Sequence, residues 1–343
     1  MAATAMGTSM TLAEIRRRET PEGKLADLID EISQENHILD HLTWIPCNNG
    51  FYHEDTRVAT EPTGQERALD EGVLKEAGVT EPFLERTQEL ASISEVDDKK
   101  YKASVSPDGF RMQEDTLFLK GMTKTFVSRI FDGNVTDDIR RITGINNRSD
   151  YNTLSSDYVF DNAGGDASVT ANKTSVYFIQ HGGKMFNMIY PRNNPQGGGT
   201  MPVKMEDFGK SIINQSGTSE TKKYPAWQTW FSMDFGLFIH DRRTIKRIVN
   251  ISTSNIDGVD DFAWHEDSMI DAYNQLEHNG TGTVIYCNRT IFAQAQKRAN
   301  EKGNANFTQE SEGEGPFARP VVRFMGIPME RVDQITNTQA TIT

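Results

Sequence analysis

The sequence predicts an α+β fold, and three observations carry that prediction. Helical and strand-like segments do not alternate as regular βαβ units. One stretch, Phe110 to Gly133, has the apolar spacing of a single long helix. Another, Trp227 to Ile251, alternates Phe231, Met233, Phe235, Leu237 and Ile239 at period two, the pattern of a long half-buried strand.

Taken in order, the chain opens with an amphipathic arm. Thr20 and Pro21 form a helix start, and Leu25, Leu28, Ile32, Leu39 and Leu42 then share one face until Pro46 and Asn48-Asn49-Gly50 end it. The apolar stripe has to pack on something. The next segment is acidic: between Glu54 and Asp98, acidic residues outnumber basic ones 13 to 4. Glycine and proline punctuate it, and it cannot bury a core of its own. Phe51, Tyr52 and Val58 on one side, and Val96, Tyr101 and Val105 on the other, are expected to flank it as the strands of one long hairpin.

The spine helix follows. Leu119, Met122, Phe126 and Ile130 lie on one stripe, and Gly133 is the expected stop. A short helix from Asp137 to Ile142 is expected after Thr136, then two strands, "SVYFIQHGG" and "KMFNMIYP", joined as a tight hairpin at Gly182-Gly183. Beyond the aromatic strand, Asp267 or Ser268 caps a helix with Met269, Ile270, Tyr273 and Leu276 inward. "GTVIYCN" is a short buried strand, and a helix from Arg289 runs toward Gly303. A hairpin closes the chain: Val321 to Met325, a Gly326-Ile327-Pro328 turn, then Met329 to Ile335.

Bulk properties narrow the function. At 343 residues the chain can bury a sizeable core. Its mean hydropathy of −0.58 implies much surface per residue. A net charge of −13 argues against clamping nucleic acid by phosphate neutralisation. No run of apolar residues reaches membrane-spanning length, and the N-terminus has no apolar signal core, so a cytosolic product is expected. Cys47 and Cys287 make no Cys-x-x-Cys motif, which disfavours both a disulfide scaffold and a zinc ribbon.

Motifs that look chemical mostly fail. His181-Gly182-Gly183-Lys184 lies in an expected hairpin, not in a strand-to-helix phosphate loop. His37 and His41 stand four apart on the arm, but no third metal ligand is evident beyond a distant His53. His265-Glu266-Asp267-Ser268 has Met269 where a zinc protease needs its second histidine, so helix capping explains it better than catalysis. Asp132 to Asp137 begins like a calcium loop but lacks the glycine at its sixth position. Arg242, Arg243, Lys246 and Arg247 form a basic cluster suited to a nucleic-acid patch, to a solvated strand end, or to steering a neighbouring acidic segment.

Three segments give the order of elements a family likeness: "DFGLFIHDRRTIKRIVNI" (Asp234 to Ile251), "VIYCNRTIFAQAQKRA" (Val284 to Ala299) and "VRFMGIPMERVDQI" (Val322 to Ile335). With the arm, acidic loop and spine helix before them, the chain resembles the major capsid proteins of tailed double-stranded DNA bacteriophages, with the Hong Kong 97-type fold, and within them a short-tailed-phage family. The resemblance implies an N-terminal arm (residues 1–46), an extended loop (47–107), a peripheral domain with the spine helix (108–145), an axial domain with remaining peripheral strands (146–318), and a hairpin (319–343) returning to the peripheral domain beside the spine helix. It implies a virion protein assembled in the bacterial cytoplasm. That protein forms hexamers and pentamers around DNA, without enzymatic activity, metal or cofactor. The implied partners are further copies of the chain, a scaffolding protein, a portal and a cementing protein.

Expected interface residues are Leu28, Ile32 and Leu39 in the arm, Phe51, Tyr52, Arg57, Arg67 and Arg86 in the loop, and Arg242 and Arg243 in the basic cluster. Gly326 and Pro328 are expected to serve a turn. Some relatives join subunits by a lysine–asparagine bond; no motif here places such a pair, and none is expected. The alternatives are an encapsulin-like compartment with cargo, a scaffold or minor virion protein, and a hydrolase built on His265, Glu266 or Asp267.

Overall fold

The computed structural model describes residues 36–104, 106–162, 173–192, 203–214, 223–253, 265–299, 306–312 and 319–342. In chain order these hold α1 (Ile38–His41), β1 (Trp44–Pro46), β2 (Tyr52–Thr60), β3 (Val79–Arg86), β4 (Gln88–Asp97), α2 (Asp98–Ala103) and α3 (Pro107–Asp132). Next come β5 (Val159–Asp161), β6 (Lys173–Gln180), β7 (Phe186–Tyr190), β8 (Val203–Asn214), β9 (Lys223–Ile239), β10 (Ile245–Ser252) and α4 (Glu266–Asn274). The last are β11 (Thr283–Cys287), α5 (Arg289–Ala299), β12 (Phe307–Glu312), β13 (Arg319–Phe324) and β14 (Ile327–Arg331). Helices and strands of mixed length, unevenly ordered, make an α+β chain.

The chain divides into two units, and the boundary falls inside α3 and inside β9. One unit holds residues 89–127, 203–214 and 223–234 among those described. Here β8 pairs antiparallel with β9 from Val203↔Met233 to Asn214↔Lys223, with a bulge between Asp207 and Gly209. β4 also pairs with β9. Pro107 opens α3 in the first turn, where a missing N–H costs nothing, and the Phe110 N–H donates to the Ser106 carbonyl at 2.9 Å. Phe110, Met122, Phe126 and Val127 are its buried apolar residues in this unit. Val96 and Phe110 pack with Tyr101 and Trp227.

The other unit is built on a seven-stranded sheet in the order β12-β13-β14-β11-β6-β10-β5. Every residue of β6, β10 and β11 is buried, as expected of central strands. Met269 and Ala272 of α4 and Ile291 and Ala295 of α5 join Val176, Phe178, Ile248, Ile285, Phe324 and Met329 in the main core. The Asn288 side chain accepts from the Ile291 N–H at 2.9 Å and so caps α5 directly after β11. In the same unit β1 runs parallel to β7, and β7 runs antiparallel to the end of β9. β2 and β3 form a two-stranded sheet of their own.

Several expectations change. β2 pairs with β3, not with the Val96–Val105 segment. The strand from Trp227 to Ile251 is two strands. It starts earlier, at Lys223, and breaks after Ile239, where the Asp241 side chain accepts from the Arg243 N–H and sets a short 3-10 turn. β6 and β7 enter different sheets, so Gly182-Gly183 joins no hairpin. No helix forms from Asp137 to Ile142: the Asn134 and Asp138 side chains accept from the N–H groups of Thr136 and Arg140, and the Ile142 N–H is taken by Gln88. Asp267 and Ser268 lie inside α4; the capping position is His265. The arm helix does not reach Pro46, because Trp44–Pro46 pairs with β7 as a strand; its residues before 36, and the expected stop at Gly303, lie outside the described residues.

The closing turn is Met325-Gly326, with φ of +47° and +86°, between the paired Phe324 and Ile327. Pro328 therefore serves no turn; it lies in β14 opposite Arg323. Its missing N–H costs little there, since pairing with β11 begins one residue later, at Met329. The hairpin closes the sheet of β11, β6 and β10.

Candidate assembly surfaces

Among the described residues, the β2–β3 hairpin is a two-stranded sheet with no buried apolar core of its own. Along β2, Tyr52, Glu54, Thr56 and Val58 are exposed, while His53, Asp55 and Arg57 point inward at period two. The inward side chains are mostly charged, and each finds a partner at the hairpin's root. Arg57 donates to the carbonyls of His240, at 3.1 Å, and Ile239. Its guanidinium also lies 3.7 Å from the centre of the Phe83 ring. His240 Nδ1 is 2.6 Å from the Asp55 carboxylate. Phe83 stacks on Phe238 with ring centres 5.4 Å apart, and His53 lies 4.3 Å from the same Phe238 ring. Burial pulls the His53 pKa below its ordinary value. On the second strand, Glu85 pairs with Arg148 at 2.5 Å. Arg86 donates to the carbonyls of Arg141, at 2.6 Å, and Ile139.

Away from this root the hairpin is exposed. Leu69 is 99% exposed and Leu74 77%, and Val58, Val79 and Leu84 show apolar surface along the strands. Arg67 is also exposed; its Nε donates to the Glu71 carbonyl at 2.5 Å. Phe51 and Tyr52 are exposed beside the root. The expected interface residues of the loop thus separate. Phe51, Tyr52 and Arg67 are exposed, whereas Arg57 and Arg86 donate to backbone carbonyls at the hairpin's root.

The arm enters the described structure at Asn36, which bridges to Val332; the His37 N–H donates to the Arg331 carbonyl at 3.3 Å. Ile38 is fully buried and Leu39 is half-buried. Leu28 and Ile32 lie outside the described residues. His37 faces Asp40 at 3.8 Å and His41 faces Glu330 at 2.8 Å. Among the described residues no group of three or more His, Cys, Asp or Glu is placed to hold a metal ion.

The basic cluster is tied within the chain. Arg242 pairs with Asp150 at 3.1 Å, and Arg243 pairs with Asp241 at 2.8 Å and Glu277 at 3.2 Å. Lys246 is buried over the Tyr158 ring. Arg247 is buried too, donating to the Tyr151 carbonyl at 2.8 Å and to Gln339 at 3.2 Å. At the sequence cluster considered for catalysis, Glu266 is engaged by Arg298 at 3.4 Å and Asn306 at 3.1 Å, contacts that tie α4 to its neighbours. Among the described residues no helix is long and apolar enough to cross a membrane.

The family model for the major capsid protein GP7 matches residues 20–343. The chain belongs to this family. It is a phage major capsid protein with the Hong Kong 97-type fold. A cryo-EM structure of bacteriophage Epsilon15 is similar over the whole of both chains, with 29% identity and a TM-score of 0.73. The bacteriophage JBD30 capsid matches at 12% identity over 95% of this chain and 99% of its own, with a TM-score of 0.45. The SrpI encapsulin complex of Synechococcus elongatus PCC 7942 matches at 12% identity over 77% of this chain and 95% of its own, with a TM-score of 0.40. No curated protein shows a significant sequence match.

Sequence reasoning missed Asp55, Phe83, Glu85, Arg148 and His240, the partners that seat the capsid protein's hairpin. The one available signal was the period-two spacing of His53, Asp55 and Arg57.

Proposed function

We propose that the chain assembles as hexamers and pentamers into an icosahedral shell around double-stranded DNA, with the β2–β3 hairpin and the arm as its reaching contacts. One observation carries this reading. The hairpin is anchored at its root by charged and aromatic side chains, yet exposes apolar residues along its length. A monomer has no use for such a surface, and a neighbouring copy would bury it. Many modest contacts of this kind add up across a closed shell.

In this reading Phe51, Tyr52, Arg67 and the arm residues Leu28, Ile32 and Leu39 touch neighbours. Arg57 and Arg86 act indirectly, by fixing the hairpin's direction. Arg242 and Arg243, paired with Asp150, Asp241 and Glu277 of their own chain, stay partly exposed where a neighbour would meet them. Residues 1–46 serve as the arm, 47–107 as the extended loop, 108–145 as the peripheral part, 146–318 mainly as the axial part, and 319–343 as the closing hairpin. The role is structural, without catalysis. A separate scaffolding protein, a portal and a cementing protein complete the particle, and assembly takes place in the host cytoplasm. An acidic inner surface would leave packaged DNA mobile.

Negative-stain electron microscopy with size-exclusion chromatography tests this, on the chain alone and expressed with its neighbouring genes. Closed shells or capsomer-sized rings are expected. A persistent monomer in both preparations would overturn the proposal.

A further inference from the structure

We propose that His41 and Glu330 form a pH-responsive latch fastening the root of the N-terminal segment to the seven-stranded sheet. The latch sits where α1 meets the end of β14. α1 is a single turn of four residues, too short to hold its shape alone. Its ties to the sheet are the Asn36–Val332 bridge, the His37 N–H to Arg331 carbonyl bond, the buried Ile38 side chain, and the His41–Glu330 pair at 2.8 Å. Of these, the His41–Glu330 pair is the tie whose strength depends directly on a titrating charge.

The surroundings set the sign of the response. The Glu330 hydrogen bond raises the His41 pKa above its ordinary 6.5, against the opposing effect of burial. Asp40, on the same turn, adds to the rise. The His181 ring lies 5.8 Å from that of His41, and its Nε2 is 2.8 Å from the Tyr286 hydroxyl. Tyr286 in turn stands opposite Glu330 in the β11–β14 register. Burial, and then the neighbouring His41, press the His181 pKa down to about 3, so this second imidazole stays neutral and does not repel the first. His37 faces Asp40 at 3.8 Å on the exposed side of the turn.

The charged pair is therefore at full strength below His41's ordinary pKa. It is lost as pH rises through the raised value. Each unit of that rise is worth about tenfold in the equilibrium for local opening. Acid holds the root down, and mild alkali releases it while the core strands stay closed.

Hydrogen exchange read by mass spectrometry on assembled particles tests the latch, between about pH 6 and about pH 9 and corrected for intrinsic exchange. In the wild type, protection of residues 36–42 is expected to fall with rising pH, with its inflection above His41's ordinary value. Glu330→Gln and His41→Gln should show low protection with little pH dependence. Residues 245–252 of β10 serve as the control and should stay protected throughout. If either variant loses that control protection, the wild-type curve decides alone: an inflection confined to residues 36–42 supports the latch. A flat wild-type curve, or a Glu330→Gln curve that tracks the wild type, would overturn it.

Discussion

Arg57 lays its guanidinium 3.7 Å from the centre of the Phe83 ring, across the antiparallel pair β2–β3. Phe83 in turn stacks on Phe238, and the same guanidinium donates to the carbonyls of Ile239 and His240. One cation thus joins both strands of the hairpin to the end of β9. Such a contact contributes about 0.5–2 kcal/mol from the ring alone, more when water is excluded. Its role is directional: it fixes where an otherwise coreless extension points.

Arg57→Ala should therefore separate assembly from folding. Thermal unfolding of the unassembled chain is expected to change little, because no core side chain is lost. Shell yield by size-exclusion chromatography should fall at least about tenfold, since the hairpin no longer arrives in register. Arg57→Lys should recover only part of it, because a lysine cannot serve two carbonyls and a ring face together. Wild-type yield from Arg57→Ala would remove the seat from the assembly mechanism.

Gly236→Ala tests the packing beneath that seat. A Cβ there would sit 2.5 Å from the Arg86 carbonyl oxygen and 2.7 Å from Ile189 Cγ1. The carbonyl is backbone and cannot swing aside. The expected cost is about 1–3 kcal/mol, read as a lower urea midpoint with an unchanged m value. Gly183→Ala is the control, with nothing within 4 Å of the added carbon. It should stay within about 0.5 kcal/mol of wild type.

The legible parts of the fold were those with an apolar period. The alternation of Phe231, Met233, Phe235, Leu237 and Ile239 showed the end of β9, and Met122, Phe126 and Ile130 showed α3. The hairpin was harder for a physical reason. Its inward face is His53, Asp55, Arg57 and Glu85, whose partners lie 182 residues away for the Arg57–Ile239 bond and 63 for the Glu85–Arg148 pair. Hydrophobic periodicity cannot register a face satisfied by distant carbonyls and charges. The separation of β6 from β7 was hidden likewise: both strands are buried throughout, and which sheet each joins depends on partners far along the chain. For the candidate surfaces, Arg57 and Arg86 stood out in sequence, but the carbonyls they seek carry no side-chain signature.

Asp98 predicts an acid-sensitive site in the other unit. It is buried and accepts from Lys102 at 2.8 Å, Lys210 at 2.9 Å and Trp227 Nε1 at 3.3 Å. Hydrogen bonds from Lys102, then Lys210, pull its pKa down to about 2 from an ordinary 3.8. A depressed carboxylate stabilises the fold above its ordinary pKa, and that contribution is lost as pH falls through the depressed one. Urea midpoints measured across this window should drop steeply for wild type and less steeply for Asp98→Asn, which starts lower. Parallel curves would place the acid sensitivity elsewhere.

The closing turn offers a gain in stability. Met325 holds φ +47° and Gly326 φ +86°, the two left-handed positions of a two-residue hairpin turn. Asparagine and glycine are the residues suited to that pair; methionine at the first position carries backbone strain of about 1 kcal/mol. Its side chain is 40% exposed, so little packing is lost on replacement. Met325→Asn should stabilise the unassembled chain by about 0.5–1 kcal/mol in chemical denaturation. Gly326→Ala, one residue on, should destabilise it by about 1 kcal/mol, because alanine resists the same backbone region. Opposite signs at adjacent positions are specific to this turn. A loss of stability in Met325→Asn would mean that the methionine side chain contributes more through packing than its backbone costs.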